Sequence, residues 1–296
     1  MREPHRNIAA SVRGRLLNLA RERGQPFELL LTRYVLERLL YRLTLTGYRN
    51  RFVLKGAMLA SAWFDAPFRP TRDLDLLGFG DSEPDAMLQA FREICSVEAD
   101  DGVEFDSASL SFDRIRDAAE YGGLRLKTYA AIATARVRVT VDIGFGDAVE
   151  PEIAEVDLPV LLDAPAPRIR AYPREAVIAE KFQAMAMLGR ANSRMKDFYD
   201  IWLLSRVYEF NGDGLARAIA ATFTRRRTPV PETLPDALTP AFAADPAKQQ
   251  QWLSFLEAIG AERVALADVV RELAGFLMKH ATAARKMQEQ SVRAHS

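Results

Sequence analysis

Arg69-Pro70-Thr71-Arg72-Asp73-Leu74-Asp75-Leu76-Leu77 decides how this chain is read. The stretch sets two carboxylates two residues apart inside an apolar run. On a β-strand, residues i and i+2 share a face. Asp73 and Asp75 therefore project side by side, while Leu74 and Leu76 anchor the strand in a core. Adjacent carboxylates repel unless a cation lies between them. Mg²⁺ (or Mn²⁺) suits such a pair, because Mg²⁺ keeps some waters and takes one or two carboxylates together with substrate phosphates. Two solvated aspartates at a polar strand end would look the same in isolation, so the surroundings must discriminate.

Upstream, apolar spacing predicts a helix over Ala10–Arg23, ended by Gly24, and a second from Pro26-Phe27 to about Thr44. Phe52-Val53-Leu54-Lys55 reads as a short strand, and Gly56 opens a helix through Phe64. Pro67 and Pro70 break the chain before the Asp73 strand, and Pro84 to about Ser96 is helical again. Downstream, Gly123–Tyr129 alternates. Arg136–Asp142 alternates strictly, with Val137, Val139 and Val141 on one face and Arg136, Arg138, Thr140 and Asp142 on the other. Pro151–Pro173 reads as a connector with short extended pieces, placing a boundary near residue 170. Beyond it the chain turns helical: Glu175–Leu188 closed by Gly189, Lys196 to about Tyr208, Leu215–Arg227, Gln249–Ile259 and Val264–Lys286. A proline-marked loop precedes the last two, and Gln288–Ser296 reads as a frayed tail. The expected organisation is α+β: a core of mixed β-sheet flanked by helices over 1–170, and a helical bundle over 171–296.

Composition narrows the chemistry. Forty Lys and Arg balance forty Asp and Glu, which disfavours a uniformly basic nucleic-acid binder and leaves room for a local basic patch. No apolar run approaches a membrane span, and no signal peptide is read at the start. Cys95 is the only cysteine, so an intramolecular disulfide and a cysteine-cluster zinc site are excluded, and the cytoplasm is the default compartment. The three histidines are His5, His280 and His295, which argues against a Ser-His-Asp triad or an HExxH zinc site. There is no GxxxxGK[ST] loop and no GxGxxG. If the chain handles nucleotides, it must do so with carboxylates, a metal and scattered basic residues.

Four features converge on that chemistry. Lys55-Gly56-Ala57 links a strand to a helix, where a glycine admits close backbone approach and free N–H groups favour an anion. Asp73-x-Asp75 follows 17 residues after Gly56. Asp142 lies on the polar face of a strand and would complete a metal site with the pair. Ala179-Glu180-Lys181-Phe182 is followed by Lys196-Asp197-Phe198-Tyr199-Asp200. This ordered set resembles the nucleotidyltransferase fold of the DNA polymerase β superfamily and, more closely, the AbiEii/AbiGii family of nucleotidyltransferase toxins. The resemblance rests on Leu54-Lys55-Gly56-Ala57, Arg69-x-Thr71-x-Asp73-Leu74-Asp75, Val141-Asp142-Ile143, Ala179-Glu180-Lys181 and Lys196-Asp197-x-Tyr199-Asp200-Ile201. It departs from the superfamily pattern at Ala57, where Gly or Ser is usual, and in a slightly long spacer before the aspartates.

The resemblance implies a metal-dependent enzyme of a toxin–antitoxin system that takes an NTP and transfers nucleotides to RNA, the tRNA 3′ end above all. The implied partner is a winged-helix antitoxin encoded nearby that need not touch the toxin. Asp73, Asp75 and Asp142 are the expected metal ligands. Lys55, Gly56, Arg69, Thr71 and Lys181 are the expected nucleotide contacts, and Asp197 is expected to orient Lys181 or act as the base, ahead of Asp200. Transfer to a protein or small molecule, and a catalytically inactive nucleotide-binding module, are the competing readings; zero net charge favours a small or protein acceptor.

Overall fold

The computed structural model describes residues 3–64, 71–115, 123–147, 149, 151–210 and 213–294, with only the helical path given for 3–7 and 291–294. Arg69, with Pro67 and Pro70, lies outside the described residues. The chain divides into two compact units, Met1–Gly146 with Ala154–Tyr172, and Asp147–Ile153 with Pro173–Ser296.

The first unit runs α1 (Glu3–Arg23), α2 (Phe27–Thr44), β1 (Phe52–Lys55), α3 (Gly56–Ala60), β2 (Leu74–Gly78), α4 (Pro84–Ser96), β3 (Glu104–Phe105), β4 (Ser111–Ile115), β5 (Gly123–Ile132), β6 (Ala135–Phe145), β7 (Ala154–Asp157) and β8 (Arg168–Ala171). Its strands form one sheet in the order β3-β5-β6-β2-β1-β8-β7, with β4 also paired to β5. The β1–β8 and β2–β6 pairs are parallel and the rest antiparallel, so the sheet is mixed. Strict alternation on β6 buries Val137, Val139, Val141 and Ile143 on one face, where α2 packs; α1 lies against β5. Leu74, Leu76 and Leu77 of β2 are all buried, as befits a central strand. The connector expected over Pro151–Pro173 supplies two strands, and β8 docks beside β1 through Leu54 and Ala171. Helix α3 is a single turn ending at Ala60, shorter than the helix through Phe64 read from the sequence.

Helix α2 buries charge as well as leucine. Arg42 makes a two-pronged contact with Asp101, at 2.6 and 3.0 Å, and donates to the carbonyls of Val97 and Val103. Glu37 is fully buried, accepting from Arg33 Nε at 3.0 Å and from the Leu161 N–H at 3.0 Å. Burial raises its carboxyl to about 7 against the opposing pull of Arg33. A carboxyl whose folded pKa exceeds its unfolded value, about 4.3, stabilises below that value. The contribution is lost as pH rises toward 7. Glu37→Gln should therefore gain on wild type as pH rises. Its Tm relative to wild type is expected to be several degrees more favourable at pH 8 than at pH 5; an unchanged difference would mean Glu37 stays ionised throughout.

The second unit is helical: α5 (Arg174–Leu188), α6 (Met195–Val207), α7 (Gly214–Arg225), α8 (Pro240–Ala244), α9 (Pro246–Ile259) and α10 (Leu266–Ala294). α10 packs on α6, α7 and α8, and α5 on α7. Phe182 meets Phe223 and Phe198 stacks on Phe242, each at 5.4 Å between centroids. α8 sits in the stretch read as an extended loop, where Thr239 caps it and Pro240 starts it. α10 continues past the expected frayed tail to Ala294. Of the three tryptophans, Trp252 is buried and Trp63 and Trp202 are partly exposed, Trp202 donating to Glu272 at 2.8 Å near the surface. Among the described residues, no helix is long and apolar enough to cross a membrane.

Candidate active site

Register places a row of charges across the sheet of the first unit. Lys55 on β1 pairs with Asp75 on β2, Asp75 with Asp142 on β6, Asp142 with Arg125 on β5, and Arg125 with Asp113 on β4. Residues opposite one another in a ladder share a face. Five side chains thus line up as cation, two anions, cation, anion. Parallel pairing of β2 with β6 brings Asp75 and Asp142 side by side although 67 positions of sequence separate them.

Each member is held differently. Arg125 grips Asp142 through two parallel hydrogen bonds, Nε to Oδ1 at 2.7 Å and Nη2 to Oδ2 at 2.6 Å, the strong fork-to-carboxylate geometry. That hydrogen bonding, then the charge of Asp142, raises the guanidinium pKa still further, and Asp73 adds to the effect. Lys55 lies over the Tyr172 ring at 4.4 Å. The Thr71 hydroxyl donates to the Asp73 carbonyl at 2.7 Å and stands 3.2 Å from its Oδ1, so it orders Asp73.

Gly56 has φ +69°, a conformation L side chains seldom adopt. A Cβ built on it would lie 1.9 Å from Asp75 Oδ2, 2.7 Å from its Cγ and 2.9 Å from its Cβ. The glycine is therefore required twice, by its backbone and by the carboxylate against it. Its single-turn helix carries little dipole, so an anion there would be met by N–H groups more than by a helix field.

Asp73 and Asp75 supply hard oxygens of the kind and number that Mg²⁺ accepts alongside substrate phosphates. Asp142, expected as a third ligand, has both oxygens in the Arg125 fork. Among the described residues, no three His, Cys, Asp or Glu side chains converge on one point. The residues fit a metal held by two carboxylates.

The second unit carries its own cluster. Lys181 on α5 donates from Nζ to Asp197 Oδ1 at 2.6 Å and to Asp200 Oδ2 at 2.7 Å. The two aspartates sit three apart on α6 and so share its face; Asp197 is fully buried and Asp200 nearly so. Arg194 Nε stands 2.6 Å from the other oxygen of Asp197. Burial alone would pull the Lys181 ammonium down, but Asp200 and Asp197 outweigh it and its pKa stays raised. Burial pushes the Asp197 carboxyl up, but Lys181 and Arg194 outweigh that and hold it below the ordinary carboxylate value. Asp197 lies in the first turn of α6, whose N-cap is Arg194, so it is no N-cap. Asp200, ranked below Asp197 on sequence, makes as close a contact.

Sequence reasoning missed two cations. The outward face of β5 was legible, and its turn with β6 fixes the register: seven residues back from Ile132 and seven forward from Ala135 land on Arg125 and Asp142. Arg226, just past the end of α7, turns inward to Gln183 at 3.0 Å, Asp147 at 3.3 Å and Glu180 at 3.4 Å. No sequence signal singles it out of Arg225-Arg226-Arg227.

Residues 38–273 match the family described as nucleotidyl transferase AbiEii toxin, type IV TA system. No curated protein matches the chain. Among solved structures, JHP933 from Helicobacter pylori is similar with a TM-score of 0.48 and 16% identity, over 90% of this chain and 98% of that one. A candidate nucleotidyltransferase from H. pylori gives 0.46 and 17%, over 86% and 94%. The family match spans most of the chain, including the aspartates of β2 and β6 and the lysine of α5, and the chain accordingly belongs to the AbiEii family of nucleotidyltransferase toxins of type IV toxin–antitoxin systems.

Proposed function

We propose that this nucleotidyltransferase transfers a nucleotide from an NTP to the 3′ end of RNA, with tRNA as the acceptor, using a divalent metal held by Asp73 and Asp75. The observation that carries the reading is the register of Asp75 beside Asp142, with Gly56 packed against the Asp75 carboxylate. In this reaction the RNA 3′-oxygen bonds to the α-phosphorus and the α–β anhydride breaks, releasing pyrophosphate. Phosphoryl-type transfer asks for placement and charge neutralisation more than covalent help. The metal would supply charge neutralisation on the triphosphate. Lys181 spends two of its three N–H donors on Asp197 and Asp200, and the third suits a phosphate oxygen. Asp197 and Asp200 keep that ammonium charged and fixed. The Thr71 hydroxyl keeps Asp73 in place. The cognate partner in this reading is a winged-helix antitoxin that need not bind the enzyme.

Zero net charge favours a second reading, transfer to a protein or small molecule. One assay separates them: purified protein, Mg²⁺, each of four α-³²P-labelled NTPs in turn and total tRNA, resolved on a denaturing gel beside Asp73→Ala. Label on tRNA from a preferred NTP, absent in the variant, is the expected result. Labelled protein with RNA left dark would overturn the RNA acceptor, and label persisting in Asp73→Ala would remove Asp73 from the chemistry.

A further inference from the structure

The face of β5 and β6 that bears Arg125 and Asp142 continues away from the carboxylates as a run of cations around one aromatic ring. Along β6 the outward residues after Asp142 are Thr140, Arg138 and Arg136; opposite them on β5 stand Lys127, Tyr129 and Ala131. The buried valines of β6 face the other way. At about 3.3 Å per residue, Arg138 lies roughly 13 Å and Arg136 roughly 20 Å from the Asp142 level.

Charge bookkeeping along the run is uneven. Near the carboxylates the cations are spent, Arg125 on Asp142 and Lys127 on Asp113. Farther out they are not: Arg136 and Arg138 are exposed and make no ion pair among the described residues. On the far side of β5 stand Glu104, opposite Ala131, and Asp106, whose N–H donates to the Tyr129 carbonyl, so each is separated from Arg136 and Arg138 by a whole strand. Arg138 sits directly across from Tyr129, and the Arg136 guanidinium stacks over the Tyr129 ring at 3.7 Å. Tyr129 is itself one of the exposed large side chains of the chain. Beside this stack the hairpin end encloses a recess of about 290 Å³, lined by Tyr129, Arg136, Phe105 and Glu104 among others.

Two unpaired arginines flanking an exposed aromatic, on an open strand face continuous with catalytic carboxylates, match what single-stranded nucleic acid requires. Cations track phosphates, and aromatic and guanidinium planes accept unstacked bases without choosing among them. We infer that the outward face of β5–β6 binds the single-stranded segment leading to the RNA 3′ end, with phosphates on Arg138 and Arg136 and a base on the Tyr129–Arg136 stack. This inference rests on the RNA-acceptor reading above. At about 3.4 Å per stacked nucleotide, the run accommodates roughly four to six nucleotides. It also explains how a chain of zero net charge handles RNA: the basic surface is local.

The test pairs a charge-reversed variant, Arg136→Glu with Arg138→Glu, and a milder one, Arg136→Gln with Arg138→Gln. Affinity for a fluorescent single-stranded RNA and for tRNA is followed by anisotropy across salt concentrations, beside the KM for RNA and the equilibrium affinity for NTP. The reversed variant is expected to bind RNA about 10- to 100-fold more weakly, with the slope of log K against log salt shallower by about 1 to 2; KM for RNA should rise in parallel and NTP affinity hold. The neutral variant should fall between, and guards against a folding defect in the first. Unchanged RNA affinity and slope in both variants, while wild type still labels RNA, would overturn this surface and leave the RNA reading standing. Failure of the wild type to bind or label RNA would overturn both.

Discussion

Replacing Gly56 by alanine is expected to abolish nucleotide transfer while leaving most of the protein folded. The methyl would enter 1.9 Å from Asp75 Oδ2 and 2.9 Å from Asp75 Cβ. The first contact can be relieved by turning the carboxylate; the second cannot, because Cβ is fixed by the strand. Either β2 or the start of α3 must shift. A left-handed backbone adds about 1–2 kcal/mol for an L-residue, which for a chain of this size lowers Tm by several degrees. A shift of about 1 Å in a positioned group costs about 100-fold in rate, and here the displaced group is one of two proposed metal ligands. The gel assay and a thermal melt of the same preparation check both parts. A variant with wild-type kcat/KM would show that Asp75 has no fixed role. Asp75→Gly in the Gly56→Ala background should recover the part of the Tm lost to the clash, leave the part lost to the left-handed backbone, and not restore activity, since it removes the clash and the ligand together.

The second large effect is expected at Lys181. Lys181→Met removes the cation shared by Asp197 and Asp200, both buried. Breaking such a pair from one side costs about 3–5 kcal/mol, because a buried charge is left uncompensated; Arg194 remains near Asp197 and places this case at the low end. The pH dependence follows from the shifts. In wild type the raised Lys181 pKa gives stability that is full below about 10.4 and lost only as pH rises through the folded value. The depressed Asp197 pKa gives stability present above about 3.9 and lost as pH falls through the folded value. Wild type should thus be insensitive to this cluster between roughly pH 4 and 10. In Lys181→Met the orphaned carboxylates bind protons more readily, so its deficit against wild type should shrink from pH 8 to pH 5. Adding Asp197→Asn and Asp200→Asn should restore most of the Tm. If that triple variant also recovered transfer, Lys181 would be a structural cation only; restored Tm without activity would place the Lys181–Asp197–Asp200 cluster as a whole in the reaction.

Much of this was legible in the residues. Strict alternation over Arg136–Asp142 needs a half-buried strand, and β6 is one. Helix bounds at Thr44, Ser96 and Leu188 follow from apolar spacing and from what comes next, most plainly Gly189 at the end of α5. What stayed hidden was pairing between distant segments. Ser111–Ile115 has no buried alternation of its own and becomes β4 only because β5 offers an edge. The two strands within Pro151–Pro173 are four residues each and owe their existence to β1 and to each other. At the site, the chain names Asp73, Asp75 and Asp142 as carboxylates but not their companions. That Asp142 is forked by Arg125 depends on a hairpin turn at Ala133-Thr134, and that Glu180 takes Arg226 depends on how α7 ends.

The β2–β6 pairing also bears on when the protein becomes active during synthesis. Asp75 leaves the ribosome with Lys55 as its strand neighbour, but the chain must grow by 67 more residues before Asp142 exists to stand beside it. At about 5–20 residues per second, that is an interval of roughly 3 to 13 s in which the carboxylate row of the nascent chain lacks Asp142. Lys181 emerges later still. No local segment holds the full set of charges, so the row across the sheet is complete only once β6 has joined β2.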